Sequence, residues 1–63
     1  MSWQKRIVEE KQQLYKKIEK LQEFMKKQQI NLSDKQWQLL DTQLHIMVAY
    51  HNILIIRLEV QND

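Results

Sequence analysis

Trp3, Arg6, Lys11, Tyr50, His51 and Arg57 are the side chains of this chain whose types and spacing could do chemistry. That chemistry is the binding of an anionic, aromatic ligand. Lys11 and His51 each interrupt an otherwise apolar helical seam. In an antiparallel pairing of the two seams they fall at the same level, with Asn52 next door. Two arrangements fit this pattern. In the first, Lys11 and His51 form a polar layer that sets register, as a buried Asn does in a coiled coil, or Lys11 carries its ammonium out to water along an apolar stem. In the second, they form an anion site: an ammonium and a protonated imidazole repel each other, and a phosphate between them relieves that cost. Trp3, Arg6 and Arg57 gather at the open end of the same pairing, with Tyr15 and Tyr50 nearer the middle. A guanidinium matches phosphate with a two-pronged fork, and aromatic faces stack on nucleobases. The same residues also fit a structural role, with Trp3 as a terminal staple, Arg57 paired to Glu9 or Glu10, and the two tyrosines as interface aromatics.

Bond-breaking chemistry has no candidates. Ser2 and Ser33 are the only serines, and neither has an identifiable base; the carboxylates are scattered on solvated faces. No catalytic residue, cofactor or metal is expected. Cysteine is absent, and His45 and His51 are six residues apart, on different helix faces. Absence of Gly removes every Gly-rich phosphate loop. Lys and Glu interleave along the first half, unlike a basic arm for DNA, so no DNA or RNA duplex is expected as partner.

The elements that must position these residues are two helices. Ile7, Lys11, Leu14, Ile18, Leu21 and Met25 alternate at spacings of four and three, a heptad seam. Val8, Tyr15 and Phe24 widen it. The spacing predicts a first helix over 3–29, a loop over 30–33 and a second helix over 34–60, one domain spanning 1–63. Ser33 and Gln36 read as a capping box, and Leu32 with Trp37 as a hydrophobic staple. The second seam is Trp37, Leu40, Leu44, Met47, His51, Leu54 and Leu58. A short loop between two such helices implies an all-α antiparallel hairpin. The pairing places Met25 by Trp37, Ile18 by Leu44, Lys11 by His51 and Ile7 by Leu54.

Ile46 to Leu58 is apolar on nearly every side. One partner helix covers one stripe of it. The remaining stripes, with Ile46, Val48, Tyr50, Ile53, Ile55, Ile56 and Val60, are expected to build a homo-oligomer, since a domain of this size buries little surface alone. The apolar run is shorter than the roughly 20 residues that span a bilayer, so no membrane partner is expected. No apolar stretch follows the N-terminal Met-Ser-Trp-Gln-Lys-Arg, so no secretory signal is expected. Charge is uneven: residues 1–32 carry eight Lys/Arg against four Glu, and residues 33–63 carry two against four Asp/Glu. A basic half suits an anionic partner, and it equally suits a solvated helix face.

Glu19-Lys20-Leu21-Gln22-Glu23-Phe24, followed by Leu40, Gln43-Leu44, Met47, Tyr50, Leu54 and Arg57, resembles the pattern of a family of very small phage proteins first catalogued in crAss-like phages. That family is similar in size and pattern to the helical anti-CBASS and anti-Thoeris sponge proteins of phages, which hold cyclic-nucleotide signals in pockets between protomers. The resemblance implies an anti-defence protein in the cytoplasm of an infected bacterium. It would sequester a nucleotide-type immune messenger without cleaving it. This chain is shorter than the larger sponges and lacks their extra helix, so none of their ligand-contact residues carries over. Two other functions suit the same apolar stripes: a module that docks on and blocks a host protein, and a structural helical oligomer.

Overall fold

The computed structural model describes residues 2–27 and 31–60. They form two helices, α1 over Trp3–Lys26 and α2 over Asp34–Glu59. Both helices start on a serine. The Ser2 hydroxyl accepts the backbone N–H of Lys5 at 3.3 Å. Ser33 makes the complete capping box: its hydroxyl accepts the Gln36 N–H at 3.2 Å, and its own N–H donates to the Gln36 side chain at 3.1 Å. These bonds satisfy N–H groups that the first turn of a helix leaves without partners. Ser33→Ala should therefore cost about 1 kcal/mol of unfolding free energy, measured by urea denaturation with Ser33→Asp as the variant that restores it.

The α1 terminus is earlier than its periodicity predicts. Lys27 is already extended, and its N–H reaches back to the Phe24 carbonyl at 3.2 Å, a tightened last turn. Gln28, Gln29 and Ile30, assigned from sequence to the helix end and the loop, lie outside the described residues. At the other end, Val60 caps α2 rather than continuing it, with its N–H on the Ile56 carbonyl.

The helices pack antiparallel into a rod of 47 × 17 × 14 Å. The contacts across the helices agree with the expected register to about one helical turn. Phe24 and Trp37 meet near the loop with ring centroids 6.5 Å apart, and Tyr15 and His51 meet midway at 5.9 Å. Tyr50 hydrogen-bonds Glu10 across the helices. Ile7, Ile18 and Leu54 are the buried hydrophobic side chains among the described residues. The other seam positions, including Lys11 and His51, are half-buried. Hence no fully buried polar layer forms at the Lys11–His51 level within a single hairpin.

The rest of α2 faces outward. Ile46 is 64% exposed, and Leu39, Ile53, Ile56 and Val60 each keep more than half of their surface. Val48 and Tyr50 are also exposed, whereas Ile55 is half-buried. By length and mean hydropathy, 1.2 over its most apolar 18 residues, α2 just reaches what a membrane span needs. Length alone therefore does not exclude spanning. The polar residues His51, Asn52 and Arg57 inside the helix speak against it, because each would need a partner in the hydrocarbon.

Candidate functional site

Midway along the rod lies an open groove of about 590 Å³ lined by Lys11, Gln12, Tyr15, Lys16 and Glu19 of α1 and His51 of α2. The α1 residues sit one or two turns apart along one strip of the helix, so a continuous helix is enough to align them. His51 closes the groove from the other side, because the antiparallel register brings it level with Lys11 and against the Tyr15 ring. The Tyr15 and His51 rings are tilted by 42° and form an aromatic wall. Two ammonium groups face one carboxylate, so the groove is net positive even with a neutral imidazole. Its volume falls within the range of small-molecule sites, roughly 300–1,000 Å³. Such a groove can hold a phosphate on the lysines and a flat ring against Tyr15.

Tyr50 stands apart from this groove although it neighbours His51 in sequence. Adjacent residues point about 100° apart on a helix, and Glu10 lies about 140° around α1 from Tyr15. The Tyr50–Glu10 pair therefore lies on another edge of the hairpin. That hydrogen bond, then desolvation, then the Glu10 charge hold the Tyr50 phenol above its ordinary pKa of 10.0, while the nearby Arg57 charge pulls it down. A raised folded-state value means that the tie is fully formed below the unfolded phenol's pKa. It is lost as pH rises through the raised value. Tyr50→Phe should therefore lower thermal stability slightly at pH 8, with the difference from the parent chain vanishing in strongly alkaline buffer, as followed by circular dichroism.

The six candidate residues thus divide. Lys11 and His51 line the groove together. Tyr50 and Arg57 lie with Glu10 on a separate edge. Trp3, 46% exposed, and Arg6, also exposed, lie in the first turns of α1 and do not line the groove. Tyr15 is the groove residue that sequence reasoning set aside as an interface aromatic; its place four residues after Lys11 was the available signal. Nothing in the sequence sets Gln12, Lys16 and Glu19 apart from the other polar helix positions. A second groove, of about 350 Å³, lies near the loop and is lined by Phe24, Leu32, Gln36, Leu39, Leu40 and Gln43. It has no charged group to hold a phosphate.

No match was found among curated proteins or among solved structures. One family model, described as Sequestin, matches residues 1–60.

Proposed function

The chain belongs to the Sequestin family, and from that premise we propose that it sequesters a phosphate-bearing nucleotide signal in the groove between α1 and α2. The family's name denotes sequestration. The observation that carries the nucleotide reading is the joining of Lys11, Lys16 and His51 with the Tyr15 ring in one groove of ligand size. Lysine ammonium groups hold the phosphates, the His51 imidazole hydrogen-bonds a phosphate or base edge, and the base stacks on Tyr15. No bond is broken: tight binding and slow release suffice to silence a messenger. The setting we assign is the cytoplasm of a bacterium infected by a phage that encodes this protein.

Calorimetric titration with cyclic di- and trinucleotides and with an ADP-ribose-type messenger tests this reading. Heat with at least one of them, and recovery of that nucleotide intact after denaturation, is the expected result. No heat with any of them would sink it. A protein-docking role is favoured by a different observation, the exposed apolar face of α2; that role predicts an empty groove and a stable complex with another chain.

A further inference from the structure

Lys11, Tyr15 and Glu19 stand four residues apart on α1, and all three line the groove. Four residues make just over one helical turn, so the three form a nearly straight row that rises about 6 Å per step. From the open end of the hairpin towards the loop, the row runs ammonium, aromatic ring, carboxylate. From this order we infer that Glu19 reads the nucleobase: its carboxylate accepts a hydrogen bond from an exocyclic amino group at the base edge farthest from the phosphate. The inference rests on the nucleotide reading of the groove and narrows it. The messenger carries adenine, guanine or cytosine at this position, and a base without an amino group is disfavoured.

The order of parts in a nucleotide matches the order of side chains in the row. Phosphate and amino edge stand at opposite ends, with the sugar between phosphate and base. A phosphate held by Lys11 and His51 sets the base against the Tyr15 ring, whose centroid is 5.9 Å from that of His51. The sugar then falls on the phosphate side of Tyr15, beside Gln12, and the far edge of the base points along the row to Glu19. The carboxylate therefore meets the base edge and not the ribose hydroxyls. An ionised carboxylate accepts hydrogen bonds and donates none, so it pairs with an N–H of the base and repels a carbonyl oxygen.

Two observations single out Glu19 for this role. Among the described residues it makes no ion pair and no side-chain hydrogen bond, whereas Glu10 on the other edge is tied to Tyr50. The Glu19 oxygens are thus left as acceptors in the groove. Its position also makes a negative charge tolerable in a phosphate site. Eight residues separate it from Lys11, about 12 Å along the helix. That exceeds the screening length of roughly 8 Å at physiological salt, so its repulsion of a phosphate at Lys11 is largely screened. Lys16 stands with Gln12 on a neighbouring row, beside the base and not beyond it.

A thermodynamic cycle by titration calorimetry tests this, with the amino group as one partner and the carboxylate as the other. The probes are ADP-ribose and cyclic di-AMP, each beside an analogue with purine in place of adenine, which lacks the amino group. The parent chain should bind the amino-bearing form of at least one pair about tenfold more tightly than its analogue, the loss expected when a charged acceptor in an open groove is left without its donor. Glu19→Ala should bind the two members of that pair within about twofold of each other. Glu19 is exposed, so the variant should keep its helical circular dichroism. A parent that binds both members equally, or a Glu19→Ala chain that keeps the full tenfold preference, would overturn the base-reading role and leave nucleotide sequestration standing. No heat with any of the four probes would overturn it together with the sequestration of adenine messengers.

Discussion

Lys11→Glu should abolish nucleotide capture while leaving the hairpin folded. Lys11 is half-buried beside His51 and lines the groove with Tyr15. A charge-assisted hydrogen bond to phosphate contributes about 1.5–3 kcal/mol. Reversing the charge adds repulsion, so the loss should reach roughly 2–4 kcal/mol, or about 30- to 1,000-fold in Kd. Titration calorimetry measures it, and circular dichroism checks that the helices persist. Arg57→Ala is the informative control. Arg57 lies near Tyr50 on the other edge, so its removal should leave affinity within about twofold. If Arg57→Ala loses the nucleotide and Lys11→Glu keeps it, the ligand sits at the open end, with Trp3 and Arg6.

Leu54→Ala should unfold the isolated hairpin. Leu54 is fully buried, and the other two buried hydrophobic side chains, Ile7 and Ile18, are 4% and 6% exposed. Truncating a buried leucine typically costs 2–5 kcal/mol. A two-helix domain with so few buried side chains holds little more than that in reserve. Urea denaturation should show the midpoint collapse at micromolar concentration and partial recovery as protein concentration rises, because association stabilises the folded chain by mass action. A variant that melts like its parent at every concentration would mean that the helices are held chiefly by assembly and not by the α1–α2 seam.

The hairpin was legible because its signals are local. The capping box at Ser33 needs only the types and spacing of Ser33 and Gln36, and the two seams are visible as periodicity, so register followed from the loop outward. The end of α1 was not legible. Lys26, Lys27 and the glutamines after them are good helix formers, and no Gly or Pro marks the stop. The candidate site was half legible. Lys11 and His51 stood out because a polar residue in an apolar seam is conspicuous. Tyr15 did not, because a tyrosine beside a seam has the same pattern whether it packs or lines a groove. Tyr50 was set with Tyr15 near the middle of the pairing, although the two rings lie on different edges of the hairpin. The Glu10 contact, from a residue 40 positions away, fixes which direction Tyr50 takes.

Native mass spectrometry of protein purified from bacteria with an active cyclic-nucleotide defence system tests sequestration most directly, because it reports stoichiometry and retained small molecules together. The expected spectrum is an oligomer carrying extra mass equal to one intact nucleotide per protomer, lost in Lys11→Glu. An empty protein from the same cells, at any stoichiometry, would contradict nucleotide sequestration.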